Sequence, residues 1–417
     1  MKLSVENDII SDVIEQTPIG TIGLLGSVAD GKSTLVFATT GTKTQRYQSE
    51  QVRNITIKPG YANIKIWESD NNYYSTSSNQ YDYEINDKKC NLVHHLSFVD
   101  CPGHQELILT MLSSIKLMHN IIIVVSAEES ITKKPQLIQH LKAIKLSNIK
   151  NVIVCLNKLD LVDKKIAMER YNELKKVLEE YDIEPLSIIP TSFSRKIGVG
   201  SLLEDIIKFF PKKIYDEKSK SYFLTTRSFD INRKGIDYTE ISGGVLGGSC
   251  LSGKLKVGDE IEIKPGILSV DSNKKIISKS IITKIQSIQT DTSSLDELFP
   301  GSLAGLKTDI DPFYCKNDSL SGNVIGLVGT LPPTYDNIKL KYKIIEEFVK
   351  NWKPKVDNTI YLQIETNSIS SKISSINDDV LEVILSKPMC IFDDTMIVIS
   401  HKENNMQELV GIGKITS

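Results

Sequence analysis

No two cysteines of this chain form a CxxC pair, and the six present, at positions 90, 101, 155, 250, 315 and 390, are scattered. That excludes a disulfide framework and a zinc knuckle built from paired thiols. Charge excess is missing too: 50 Lys and Arg stand against 52 Asp and Glu, a net charge of −2. Bulk attraction to nucleic acid is thereby excluded, and any RNA surface has to be a local patch. The strongest apolar run, residues 121–125, is far too short to span a bilayer. Residues 1–16 carry Glu6, Asp8, Asp12 and Glu15, which argues against a signal or transit peptide. These absences lead us to expect a soluble, cytoplasmic chain of a reducing compartment, with no membrane partner. Its 417 residues leave room for about three domains.

What is there begins with Gly26-Ser27-Val28-Ala29-Asp30-Gly31-Lys32-Ser33, which fits the phosphate-loop pattern GxxxxGK[ST]. It lies between an apolar run (residues 21–25) and a helical pattern opening at Thr34, so it joins a strand to a helix. Backbone N–H groups of Ala29 to Thr34 are placed to complement phosphate oxygens. Lys32 supplies a point charge for the outer phosphates, and the Ser33 hydroxyl is a ligand for Mg²⁺. Asp100-Cys101-Pro102-Gly103 ends a second apolar strand, where Asp100 can hold the metal through water. Asn157-Lys158-Leu159-Asp160 ends a third. A carboxylate at Asp160 accepts the N1–H and 2-amino donors of guanine as a pair, which adenine cannot offer. Asn157 reaches the opposite edge of the base, and the stem of Lys158 covers its face. Thr191-Ser192-Phe193-Ser194 follows a short strand and supplies the last loop. In this order and spacing the segments describe a site for GTP and GDP.

Strand and helix patterns alternate up to Pro211, which predicts an α/β fold, a doubly wound P-loop GTPase domain over residues 1–213. A polar stretch rich in Asn, Ser, Asp and Tyr (68–91) interrupts it and reads as a mobile insert. From residue 222 short strands alternate with Gly-rich turns, and Leu331-Pro332-Pro333 marks a further boundary. Two β-barrel domains, 214–332 and 333–417, are expected. His94 and His95, at an expected strand start, read as structural. Tyr73, Tyr74, Tyr81 and Tyr83 are weaker candidates for stacking on RNA bases. Lys339, Lys341 and Lys343 alternate on a strand and suit a solvated edge at least as well as phosphate contacts.

Several segments resemble the gamma subunit of eukaryotic and archaeal translation initiation factor 2. They are Arg53-Asn54-Ile55-Thr56-Ile57-Lys58, then His95 through His104, Arg227-Ser228-Phe229-Asp230-Ile231-Asn232 and Gly243-Gly244-Val245-Leu246-Gly247-Gly248-Ser249. The likeness covers nearly the whole chain and is weakest in the last domain. It implies a GTP-dependent carrier of initiator methionyl-tRNA to the small ribosomal subunit, assembled with alpha and beta subunits. GTPase-activating and nucleotide-exchange factors belong to the same picture. By matching position, Thr56 contacts Mg²⁺ and the γ-phosphate, Gly103 senses that phosphate, and His104 is the catalytic residue that orients the attacking water.

This chain departs from that pattern in three places. The family usually has His where Ser27 and Asp30 stand. A carboxylate about 8 Å from a phosphate charge costs roughly 0.5–2 kcal/mol at effective dielectrics of 80 to 20. Asp30 therefore either weakens nucleotide binding or points outward. The insert holds only Cys90 where many members carry four zinc-ligating cysteines, so no zinc is expected. Phe193 replaces a small residue beside the base. Two other readings stay open: a GTP- and tRNA-binding scaffold impaired in hydrolysis, and an elongation-type tRNA carrier.

Overall fold

The computed structural model describes residues 14–43, 60–101, 108–147, 149–210, 219–290, 293–346, 348–349, 352–403 and 406–416. Two compact units divide the chain, Met1–Ile214 and Tyr215–Ser417.

In the first unit, Ile-Val-rich strands with both faces covered read as unbroken apolar runs. Strands β1 (Thr21–Leu25), β2 (Gly60–Ser69), β3 (Asn72–Ser77), β4 (Asn91–Asp100), β5 (Asn120–Ser126), β6 (Val152–Asn157) and β7 (Ser187–Pro190) form one sheet. Its order is β3-β2-β4-β1-β5-β6-β7. Every residue of β1, β5 and β6 is buried. Helices α1 (Lys32–Thr40), α2 (Ile108–Ile115), α3 (Pro135–Ser147) and α4 (Lys164–Glu180) lie between them in sequence, and α5 (Val199–Phe209) follows β7. The Asp163 carboxylate caps α4 by accepting from Ile166 N–H. One core lies on the face covered by α1 and α5 and gathers alternate residues of the loop-bearing strands, including Ile22, Leu35, Phe98, Ile153, Phe193 and Phe210.

The sheet is mixed, not wholly parallel: β2 runs antiparallel to both β4 and β3. The expected mobile insert is largely ordered strand. It extends β2 and β4 and adds β3 at the sheet edge, with a small hairpin, Glu84–Ile85 against Lys88–Lys89. Its tyrosines are engaged within the fold: Trp67 and Tyr74 both meet the Tyr83 ring, and Lys65 Nζ lies 4.7 Å from the Tyr81 ring centre. His94 and His95 sit inside β4, not at its start. Their rings bond the carbonyls of Phe210 and Ile14 at 3.3 and 2.9 Å, and burial pushes His95 down to about 3. A neutral, buried ring is a structural one.

In the second unit, β8 (Tyr222–Phe229), β9 (Val245–Ser252), β10 (Glu260–Val270), β11 (Ile276–Gln289), β12 (Leu303–Thr308) and β13 (Val324–Leu327) pair in the order β10-β13-β8-β9-β12-β11. Pairing of β10 with β11 completes the ring. A second barrel closes through β14 (Thr334–Ile344), β17 (Val380–Cys390), β16 (Asn367–Asn377), β15 (Thr359–Ile364), β18 (Ile397–Glu403) and β19 (Met406–Thr416). Inward and outward residues alternate along them, as in β12 and β16, and each barrel has its own aliphatic core. Because β14 pairs on both sides, its lysines do not line an edge. Lys339 and Lys341 project outward and meet Glu382 and Asp379 at 3.8 and 3.1 Å.

Candidate guanine-nucleotide site

The phosphate loop turns sharply because three of its residues have positive φ: Gly26 at 142°, Ala29 at 62° and Gly31 at 106°. A Cβ on Gly26 would lie 2.1 Å from the Val124 carbonyl oxygen, and one on Gly31 would lie 2.3 Å from Asn157 Nδ2. Only glycine fits at either place. The Lys32 ammonium is buried and donates to the carbonyls of Gly26 and Ser27 at 2.9 and 2.8 Å, closing the loop around itself. Burial draws its pKa down, while the carboxylates of Asp100 and Asp30 oppose that and favour the charged form. Ser33 donates its hydroxyl to Asp100 Oδ2 at 2.7 Å. A hydroxyl and a carboxylate in contact suit a hard, oxygen-seeking cation such as Mg²⁺. Thr34 is exposed on the first turn of α1.

Three loops meet at Asn157, the last residue of β6. Its amide Nδ2 donates to the Asp30 carbonyl at 2.9 Å. Its Oδ1 accepts from Phe193 N–H at 3.1 Å and from the Thr191 hydroxyl at 3.3 Å. One side chain thus ties the phosphate loop to the loop after β7. Lys158 adopts φ 63° and pairs with Glu128. Asp160 Oδ2 accepts from Arg195 Nε at 3.0 Å. The Ser192 hydroxyl and Arg195 hold this carboxyl below the ordinary carboxylate range. Its second oxygen, Oδ1, is buried and meets no partner at hydrogen-bond geometry among the described residues. So is the Ser27 hydroxyl in the phosphate loop. An orphaned acceptor beside the base loop and an orphaned hydroxyl in the phosphate loop fit a ligand carrying donors at one end and oxygens at the other.

Two of the departures in sequence, at Phe193 and Asp30, have plain structural outcomes. Phe193 is 2 % exposed and its ring packs into the core with Leu35 and Val36, so only its backbone faces Asn157; Ser192 and Ser194 lie with their hydroxyls 3.3 Å apart. Asp30 does not point outward. It is 1 % exposed and turns into the protein, where Lys134 Nζ meets it at 2.5 Å. Thr56, Gly103 and His104 lie outside the described residues.

Four groups escaped the reading of the sequence: Lys134, His140, Glu128 and Arg195. Each acts across a long separation, with no motif spacing to flag it. A lone carboxylate inside a phosphate loop was the available signal, since a buried charge requires a counter-charge. Among the described residues, His401, Glu403 and Glu408 form the one group close enough to share an ion, and they lie in the second barrel, not in the insert.

Comparison with known proteins follows the same division. Residues 17–212 match the elongation factor Tu GTP binding domain, and residues 243–326 match elongation factor Tu domain 2. Residues 336–415 match the C-terminal domain of initiation factor eIF2 gamma. The eukaryotic translation initiation factor 2 subunit gamma of Encephalitozoon cuniculi is 36 % identical over 421 residues, covering 98 % of this chain and 95 % of that one. The chain belongs to the gamma-subunit family of translation initiation factor 2. Subunit 3 of the factor from Drosophila melanogaster is 34 % identical, with 97 % of this chain and 90 % of that one covered. The gamma subunit of Schizosaccharomyces pombe is also 34 % identical, with 97 % and 95 % covered. Membership of this family makes the chain a translational GTPase and a subunit of an initiation factor. In fold it is similar to a bacterial selenocysteine-specific elongation factor, with TM-score 0.71 at 21 % identity over 95 % of this chain and 58 % of that one. Elongation factor SelB of Methanococcus maripaludis, with a GTP analogue, gives 0.70 at 20 % identity over 96 % and 80 %. None of the helices among the described residues is long and apolar enough to cross a membrane.

Proposed function

We propose that this gamma subunit, in its GTP state, binds initiator methionyl-tRNA and delivers it to the small ribosomal subunit, with GTP hydrolysis as the release step. The observation that carries the site assignment is the Asn157 side chain, which holds the phosphate loop and the base loop in one frame. Ala29 to Thr34 present backbone N–H groups and the Lys32 ammonium to the phosphates. Asp160 reads guanine, Asn157 and Lys158 frame the base, and the loop of Ser192, Phe193 and Ser194 closes over it. Ser33, Thr56 and Asp100 hold Mg²⁺, which when bound neutralises charge on the outer phosphate oxygens. Thr56 and Gly103 engage the γ-phosphate and order the switches, and His104 orients water for attack.

The functional domains in this reading are 1–213, 214–332 and 333–417, the last two being barrels. The chain works in the cytoplasm at the core of a heterotrimer with alpha and beta subunits, with activating and exchange factors acting on the nucleotide. Zinc has no place in the insert, where Cys90 is the only thiol; elemental analysis of the purified chain checks that. Ser27, Asp30 and Phe193 are the features that leave a hydrolysis-impaired scaffold open; burial of Phe193 and the pairing of Asp30 with Lys134 support the hydrolysing reading.

Filter binding of charged initiator and elongator tRNAs to the GTP-loaded trimer tests the assignment. Preference for the initiator by about tenfold or more is expected. Equal affinity for both would point to an elongation-type carrier.

A further inference from the structure

Behind the phosphate loop lies a buried ion pair that the nucleotide reading does not use. Asp30 and Lys134 are 1 % and 4 % exposed, and Lys134 Nζ sits 2.5 Å from Asp30 Oδ1. Both ends are further bonded. Asp30 Oδ2 accepts from Ser27 N–H at 2.7 Å, and Oδ1 accepts from Ser126 N–H at 3.1 Å. Lys134 Nζ also donates to the Ser126 carbonyl at 3.3 Å. The pair therefore joins the loop to the last residue of β5.

Lys134 is itself well placed. It follows a single helical turn, Ile131–Lys133, whose first N–H donates to Glu173 of α4 at 2.8 Å, and it precedes Pro135, where α3 begins. The same helix touches the loop at a second point: His140 Nδ1 accepts from Gly26 N–H at 3.0 Å. Burial pushes His140 down to about 3, so its ring is neutral and free to accept. Helix α3 and the residue before it thus brace the loop at its first glycine and its carboxylate.

A carboxylate this close to a polyphosphate site carries two liabilities. Unpaired, it would be a buried charge without a partner, and it would repel the phosphates. Lys134 cancels both. We propose that Lys134 is a positioning residue of the phosphate site: through Asp30 it holds the loop's shape and removes the repulsion its carboxylate would exert on bound phosphates. This rests on the guanine-nucleotide reading above.

The experiment titrates fluorescent GTP and GDP into the full chain, with unlabelled guanosine as a competitor. Wild type, Lys134→Arg, Lys134→Met and Asp30→Asn/Lys134→Met are compared, each with a thermal melt. Lys134→Met is expected to weaken GTP about 10-fold and GDP less, because the freed carboxylate acts on phosphate charge. Guanosine, which has none, should compete as well as before. Lys134→Arg should stay within about threefold of wild type, and the charge-neutral double variant should recover most of the GTP affinity and of the melting temperature. Equal losses of GTP and guanosine, or a double variant no better than Lys134→Met, would overturn the proposal. Should Lys134→Met fail to fold, the double variant decides: a GTP affinity about 10-fold below wild type counts against the pair as charge-cancelling. Wild type failing to bind GTP defeats the nucleotide reading itself, whereas recovery in the melts reports on the pair alone.

Discussion

Asp160→Asn is expected to reverse the chain's nucleotide preference, moving it from GTP toward xanthosine triphosphate. In the wild type one carboxylate oxygen already has Arg195 as a donor, while the other is buried and meets no partner at hydrogen-bond geometry among the described residues. Guanine brings two donors to that carboxylate, so the orphaned oxygen is satisfied on binding. An amide in its place turns one acceptor into a donor and sets it against the donors of guanine. Xanthine carries a carbonyl where guanine has its amino group, and the amide donor meets it. A site left with unpaired buried polar groups rejects the wrong partner strongly, so the ratio of GTP to XTP affinity should change by on the order of 10³ or more. Titrations of both variants with labelled GTP, XTP and ATP measure it. Wild-type affinity for ATP equal to that for GTP would remove Asp160 from the base-reading role.

The second large effect is kinetic. His104→Ala should lower partner-stimulated hydrolysis by on the order of 10²–10⁴, with GTP affinity unchanged. Orientation of the attacking water is worth most in the transition state, so its loss appears in the rate of the chemical step, not in binding. Single-turnover hydrolysis on ribosomes with the activating partner separates the two. A mutant that hydrolyses at the wild-type rate would show that another group positions the water. A wild type that never hydrolyses with its partners present would instead favour the scaffold reading.

The phosphate loop and Asn157-Lys158-Leu159-Asp160 were legible because their chemistry is local. Gly31 has to be glycine for reasons written within a few residues of it, and the strand before and helix after it follow from apolar spacing. Helix α4, Lys164–Glu180, follows from equally local chemistry, with Asp163 at its cap. The insert was misread. Its Asn, Ser and Tyr content resembles a mobile loop, but Asp70-Asn71 and Asn86-Asp87 have φ of 51° and 60°, and 52° and 61°, and each joins two paired strands. Such two-residue turns are a hairpin signal, and it was there to be read. The antiparallel placement of β2 was not, since alternation along a strand carries no direction. Nor was the Asp30–Lys134 pair, whose members are far apart in sequence and meet only once β5 and α3 have packed. Phe193 is a related case: the sequence sets it beside the base, whereas its ring leaves the loop for the core.

The central claim is that the γ-phosphate controls tRNA affinity. Its most direct test is the dissociation constant of charged initiator tRNA for the trimer in GTP and in GDP, with Thr56→Ala alongside. The account predicts binding about 10-fold or more tighter in GTP, a difference abolished by Thr56→Ala, and weakening with added salt in both states. Equal affinity in the two nucleotides, or no tRNA binding in either with both partner subunits present, would contradict it.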